Sequence, residues 1–308
     1  METRNQPLVS VPIITYNSAK YVLETLESIK AQTYQNIELI ISDDCSMDDT
    51  VELCQKWVEQ NKEHFVRTQI ITSETNTGVS ANLNRAEAAC QGEWVKPIAG
   101  DDLLSTNCVE VCVKYAMKYN PVCLFGKIKA FGASPERNVF YDDNVFDYTF
   151  FALSVEEQLE QLIFKGNCVP AATYFYNRSK IIEYGITNDE RVPLLEDWPK
   201  WIVALEKGIK FHFIDEFLVN YRIHEASLST SGRASSKMVM SNQLFNFYYR
   251  YPKWENRNKE EAVKRMTTEY VQIYEELLKM ENLYNQIRSS HAYRLGKLLL
   301  NPLKIFKK

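Results

Sequence analysis

The sequence predicts an α/β protein whose first hundred residues build a mostly parallel sheet with helices on both faces. Three observations carry that prediction. Apolar, β-branched runs alternate with stretches of helical period, the joins between them are short, and polar clusters recur at the ends of the apolar runs. Strand–helix alternation of this kind implies βαβ units, and continuously apolar strands imply a sheet covered on both faces.

Leu8–Thr15 is the first buried-strand run, and Ser18–Gln32 follows with Tyr21, Val22, Leu26 and Ile29 at helical spacing. Ile37–Ser42 predicts a second strand and Asp48–Gln60 a second helix, with Asp48 or Asp49 as its N-cap. Thr68–Thr72, Val79–Cys90 and Trp94–Ala99 continue as strand, helix and strand. Beyond Leu103 the alternation loosens. Cys108–Tyr119, Glu156–Phe164 and Trp198–Lys207 read as helices, and Val122–Phe131 and Ala171–Tyr176 as strands. A last strand begins at Lys210–Asp215 and ends near Tyr221. From Val263 to Ile287 apolar residues fall three and four apart without a break, which predicts a long helix that either docks on the domain or pairs two copies.

At 308 residues the chain can bury a sizeable core, and its formal charge of -4 gives no general affinity for nucleic acid. The charge is uneven: no acidic residue follows Glu281, while Arg288, Arg294, Lys297, Lys304, Lys307 and Lys308 do. Leu295, Leu298, Leu299, Leu300, Leu303, Ile305 and Phe306 lie among them, the pattern of a cationic amphipathic segment that rests in a membrane interface. Seven scattered cysteines without zinc spacing read as buried apolar residues of a reducing cytoplasm. Neither a signal peptide nor a run of 18 apolar residues is present, so the expectation is a protein that is not exported and does not span a bilayer.

Ligands of parallel sheets bind where the carboxyl ends of the strands converge. The polar clusters Thr15-Tyr16-Asn17, Asp43-Asp44 and Gly100-Asp101-Asp102 all fall there. An aspartate pair by itself is more often a capped turn, and Asp43-Asp44 with Ser46 and Asp48 fits an Asx-turn before a helix. Three such clusters on one edge point instead to a ligand. A diphosphate neutralised through Mg²⁺ or Mn²⁺ suits them, since these ions take one or two carboxylates together with phosphate oxygens and water. Neither GxGxxG nor GxxxxGK[ST] occurs, so dinucleotide and P-loop readings lack their motif.

The stretches VSVPIITYNSAK, ELIISDDCSMDDT, TNTGVSANLNRAEAACQGEWVKPIAGDDLL, LLEDWPKW and YRIHEASLS, in that order between Leu8 and Ser229, resemble the inverting glycosyltransferases of family 2. The resemblance implies a GT-A fold over residues 1–230, with a nucleotide-sugar half at 1–104 and an acceptor half at 105–230. A helical extension with the basic tail would follow at 231–308. It further implies that Pro12, Thr15 and Tyr16 line the base pocket and that Asp44 accepts from the ring N–H of a pyrimidine. Asp101 and Asp102 match the DXD-type motif, with Asp102 expected on the metal, Mn²⁺ or Mg²⁺, and Asp101 nearer the ribose. Asn84 matches an asparagine close to the donor, and Asp197, beside Glu196, matches the catalytic base. Arg222 and His224 match a segment that closes near the diphosphate, with His224 expected on the metal.

The chemistry agrees with these roles. Inverting transfer needs one carboxylate to take the acceptor's proton and a cation to stabilise the departing diphosphate. Asp197 has a bland reading too, as the N-cap of the helix that follows it. Leu83 stands where the family often has arginine, and the QxxRW motif of processive synthases is absent, which favours transfer of a single sugar. The implied reaction moves one sugar from a UDP-sugar to a hydroxyl of a lipid-linked or surface-polysaccharide acceptor, as in O-antigen or capsule assembly. The implied setting is the inner face of the cytoplasmic membrane, held there peripherally by the tail. The competing reading is a membrane-docked GT-A scaffold that no longer catalyses.

Overall fold

The computed structural model describes residues 6–132, 147–224 and 236–250, with isolated positions beyond. Five strands lie in the first half: β1 (Val9–Thr15), β2 (Ile37–Asp43), β3 (Arg67–Thr72), β4 (Trp94–Val95) and β5 (Ile98–Ala99). They alternate with helices α1 (Val22–Lys30), α2 (Thr50–Asn61) and α3 (Val79–Ala88). β1 pairs in parallel with β2, β4 and β5, and β2 with β3. Every residue of β2 is buried, as a strand covered on both faces requires.

The second half adds β6 (Leu103–Leu104), β7 (Cys123–Phe131), β8 (Phe175–Asn177) and β9 (Phe211–Arg222). Its helices are α4 (Cys108–Tyr119), α5 (Val155–Glu160), α6 (Arg178–Glu183), α7 (Asp197–Glu206) and α8 (Ser236–Phe245). Among the described residues the strands form one mixed sheet in the order β3-β2-β1-β4-β8-β7-β9-β6, with β5 beside β1. The predicted alternation thus holds through α3.

The strand predicted over Trp94–Ala99 is instead two short ones, β4 and β5, parted at Lys96-Pro97. Pro97 has no N–H for the ladder, and the backbone gives way there. The break faces a second proline. Ser10 and Ile14 of β1 accept from Lys96 N and Gly100 N, so the even-numbered residues of β1 bond toward this side, and Pro12 falls opposite the gap. A central strand tolerates Pro12 because its missing donor meets no acceptor there. The Lys96 side chain is fully buried, and its ammonium donates to the carbonyls of Pro97 and Ala172, both at 2.7 Å. Burial pulls its pKa down.

Ala171–Thr173 is a 3₁₀ turn rather than the start of a strand, and only Phe175–Asn177 pairs. Asp49 occupies the N-cap position of α2 without a capping bond, while the Asp48 carboxylate accepts from Thr50 N at 3.1 Å and Ala19 N at 3.1 Å. The first compact unit runs to Arg250, past the expected boundary at 230. Phe245 of α8 sits 4.2 Å from the Trp198 ring, and Arg250 Nε donates to Ile163 O at 2.8 Å, which joins this segment to the sheet domain. Of the predicted helix at 263–287 only Thr267, Thr268, Lys279, Asn282 and Gln286 are described, all of them helical, and the basic tail lies outside the described residues. No helix among the described residues is long and apolar enough to cross a membrane.

One tight contact tests the packing of the amino-terminal half. Gly92 donates to Ser10 Oγ at 2.8 Å and to the buried Glu38 carboxylate at 2.9 Å. A Cβ at Gly92 would stand 2.6 Å from the backbone nitrogen of Ser10 and 2.8 Å from Leu8 O. Backbone cannot yield as a side-chain tip can, so Gly92→Ala is expected to destabilise the fold by about 1–3 kcal/mol in urea unfolding.

Candidate functional site

The carboxyl ends of β1, β2, β3 and β5 and the end of β9 bring the predicted polar clusters to one edge of the sheet. Loops there are tied to one another. Asp44 N donates to Thr15 O at 3.0 Å, Asn17 N to Ser46 Oγ at 2.8 Å, and Met47 N to Asn17 Oδ1 at 2.8 Å. Asn17 and Cys45 turn with φ of 51° and 67°, a left-handed geometry that lets each chain fold back beside its strand.

Asp43 serves the loop. Its carboxylate accepts from Thr15 Oγ1 at 2.7 Å, Ser46 N at 2.8 Å and Ser46 Oγ at 2.5 Å, which is the Asx-turn reading of the sequence. Asp44 is 2% exposed and accepts from four donors: Thr77 N, Thr77 Oγ1, Gly78 N and Arg85 Nη2, at 2.9, 2.6, 2.7 and 3.3 Å. A base N–H reaching Asp44 must displace one of them, since a carboxylate offers about four lone-pair sites. Arg85, which the sequence reading passed over, is thus the cation of this corner.

Thr15 is buried at the strand end and Tyr16 is 50% exposed just after it, both at the mouth of the edge. Pro12 is buried inside β1, opposite the Lys96-Pro97 break, and its role is set by the ladder. Asn84 points away from this mouth. Its amide nitrogen donates to Asn188 O and Glu190 Oε1, both at 2.9 Å, and its oxygen accepts from Asn188 N at 3.1 Å. The side chain on α3 that faces the strand ends is Asn82, whose Nδ2 lies 3.3 Å from Thr15 O. The two stand two positions apart on the helix, a rotation of about 200° that places them on opposite faces.

Asp101 and Asp102, matched together to one motif, lie in different surroundings. Asp102 is 2% exposed, and its Oδ1 accepts from the backbone N–H of Arg222 at 2.8 Å. Burial pushes its carboxyl well up, with the neighbouring Asp101 charge adding to the effect. Asp102 therefore holds the turn onto β9. The Asp101 side chain is more open, and its Oδ2 meets His224 Nε2 at 2.9 Å. Adjacent residues in a turn project to different sides, so only one of the pair reaches the open edge.

Arg222 is a clamp, 9% exposed. Its Nε donates to Asp101 O and its Nη2 to Glu24 of α1, both at 2.8 Å. Its guanidinium lies over the rings of Tyr21 and Phe131 at 4.6 and 4.4 Å. Tyr21 also packs on His224, ring centroids 4.7 Å apart. Clamp and ring together fix the imidazole beside Asp101.

The second carboxylate pair stands at the start of α7. Asp197, half-buried, accepts from Asn167 Nδ2 at 2.7 Å and from Trp198 N at 2.7 Å. Glu196 takes the N-cap position without a capping bond, so capping does not explain this pair. Burial raises both carboxyls, Glu196 to about 7 with the charge of Asp197 contributing. A carboxyl made less acidic by burial is a better proton acceptor, which suits a general base.

No cluster of three or more His, Cys, Asp or Glu side chains fit to hold a metal occurs among the described residues. Asp101 and His224 fit a divalent ion nonetheless, as an oxygen and a nitrogen donor on the open edge, leaving further positions for a ligand's oxygens and water.

A family model described as glycosyl transferase family 2 matches residues 10–185, more than half of the chain. Among curated proteins the chain is 29% identical over 134 residues to the glycosyltransferase GlyG of Streptococcus pneumoniae, covering 44% of this chain and 43% of that one. It is 24% identical over 235 residues to the putative teichuronic acid biosynthesis glycosyltransferase TuaG of Bacillus subtilis, covering 76% and 86%. The match thus spans less than half of the first relative and most of the second. Among solved structures, S. aureus TarS in complex with UDP-GlcNAc aligns with TM-score 0.57 and 20% identity, over 78% of this chain and 66% of that one. The mannosyltransferase PcManGT of Pyrobaculum calidifontis, in complex with GDP-Man and Mn²⁺, aligns with TM-score 0.57 and 16% identity, over 95% and 84%. At these identities the structural likeness carries the fold, which is GT-A.

Proposed function

This chain belongs to glycosyl transferase family 2, and from that premise we propose that it is a metal-dependent, inverting transferase of a single sugar. The donor is a nucleotide-sugar, a UDP-sugar in this reading, and the acceptor is a hydroxyl of a lipid-linked or surface-polysaccharide glycan. The observation that carries the reading is the Asp101–His224 pair on the open carboxyl edge of the sheet. Donors of this type suit a cation shared with diphosphate oxygens. TarS bound to UDP-GlcNAc supports the uridine donor, PcManGT crystallised with Mn²⁺ supports the metal, and the name of TuaG supports a cell-surface polymer as product.

In this mechanism Asp101 and His224 would hold the divalent ion, which would offset the charge that builds on the leaving diphosphate. Asp102 and Arg222 keep that pair in place through the β9 backbone. Thr15 and Tyr16 flank the nucleoside, with Asp44 and Arg85 organising the corner beneath it. Asp197 takes the acceptor proton as its oxygen attacks the anomeric carbon from the side opposite the diphosphate, which inverts the configuration. The basic apolar tail at 289–308 favours an acceptor presented at a membrane surface.

Hydrolysis and transfer assays over a panel of UDP-sugars, each with and without Mn²⁺, test the reading. One sugar is expected to be turned over, in the presence of metal only. Turnover of none, together with no calorimetric signal for UDP and Mn²⁺, would leave the non-catalytic scaffold instead.

A further inference from the structure

Lys200 is a lysine in the interior, 3% exposed, on the inner face of α7. Its ammonium lies 3.2 Å from Glu87 Oε1 on α3 and over the rings of Tyr174 and Tyr176, at 5.3 and 5.9 Å from their centroids. The Glu87 carboxylate is shared. Its other oxygen accepts from Asn188 Nδ2 at 3.0 Å, and Asn188 in turn is bound by Asn84. The loop from Asn188 to Leu195 is held on α3 at further points, where Ser80 Oγ donates to Val192 O at 3.0 Å and a Cβ at Gly78 would stand 3.3 Å from Pro193 O. That loop ends at Glu196 and Asp197. Helix α3 is therefore the template on which the base-bearing turn is laid.

A buried ammonium is costly unless it is paired and hydrogen-bonded. Lys200 follows Glu196 by four residues, so the two side chains share a face of the helix, with the acid toward the N-terminus. We propose that Lys200 is a positioning residue for the catalytic carboxylates: clamped by Glu87 and the two tyrosine rings, it locks the first turn of α7 onto α3 and presents its charge to Glu196. The groups that face Lys200 are Glu87 from α3, Tyr174 just before β8 and Tyr176 within it, the Cys123 thiol of β7 and Glu196 of its own helix. Burial keeps both tyrosines neutral, since it raises their hydroxyls well above their ordinary value. Glu87 is thus the anion that sets how much of the Lys200 charge reaches Glu196.

The inference rests on the reading of Asp197 as the base, and its test does not depend on turnover. The protonated-carboxyl band in the infrared is titrated for the full chain and assigned by its loss in Glu196→Gln. Removing the cation in Lys200→Met is expected to raise the midpoint by about 1 pH unit, and removing its partner anion in Glu87→Gln to lower it, because opposite charges near a carboxyl act in opposite senses. Lys200→Arg is expected to restore the wild-type midpoint. The acid limb of kcat should move with the band in each variant, with the donor KM unchanged. A midpoint unmoved in Lys200→Met, or moved the same way in both variants, overturns the proposal. If Lys200→Met does not fold, Glu87→Gln decides: a lowered midpoint supports the proposal and an unmoved one overturns it. Full turnover in Asp197→Asn would overturn the base reading alone, with the infrared result standing by itself.

Discussion

Asp197→Asn is expected to lower sugar transfer by about 10²–10⁴-fold, the usual contribution of a positioned general base, while donor affinity stays within about two-fold. The variant preserves shape. Its side-chain oxygen can still accept from Trp198 N, as Asp197 does at 2.7 Å. What it loses is the ability to take a proton from the acceptor, together with the bond that Asp197 accepts from Asn167 Nδ2. Steady-state transfer and calorimetry with UDP and Mn²⁺ separate the two effects, and unchanged turnover would remove Asp197 from the role. The pH dependence follows with a definite sign. Glu196 is raised to about 7 and Asp197 is raised beside it, so a rate that needs ionised Asp197 falls at a higher pH than an aspartate of ordinary acidity would allow. An Asp197 of ordinary acidity would hold its rate down to about pH 5. The two carboxyls titrate as a pair, and the limb belongs to both.

The metal pair has the second large expected effect. Asp101→Asn and His224→Ala should each weaken Mn²⁺-dependent binding of UDP by about 30-fold or more, equivalent to about 2 kcal/mol, because each removes a donor and leaves its partner unbalanced. Asp102→Asn should behave differently. Asp102 Oδ1 accepts from Arg222 N at 2.8 Å in a buried turn, and an amide oxygen can do the same. That variant is expected to keep metal-dependent binding. The contrast between the neighbouring aspartates is the readout, by calorimetry with EDTA-treated protein as the blank. If Asp102→Asn abolished binding and Asp101→Asn did not, the assignment drawn from geometry would be reversed.

Much of this architecture is written in local pattern. Apolar, β-branched runs as short as Val9–Thr15 and Ile37–Asp43 read as strands covered on both faces, and the amphipathic stretches between them pack back on the sheet. Chain direction then brings the polar residues after β1, β2 and β5 to one edge, so the approximate place of the site follows from alternation alone. The loss of the ladder at Lys96-Pro97 was less legible. A proline marks a break, but the tolerance of that break depends on Pro12 in the facing strand.

Local pattern thus carries the fold class, the edge at which the polar clusters gather and the residue types found there. Packing between elements sets which way each side chain points. Adjacent aspartates are equivalent in a string of letters, yet Asp102 turns inward to the β9 backbone and Asp101 outward to His224. Asn82 and Asn84 are two letters apart, and the turn of α3 sends one to the strand ends and the other to the loop at Asn188. Glu87 and Lys200 are far apart in the chain, and nothing in either segment announces the buried pair they form. The reason is physical. Periodicity records which face of an element is apolar, because burial acts on each residue singly, whereas a polar contact depends on the relative placement of two elements that no local pattern encodes.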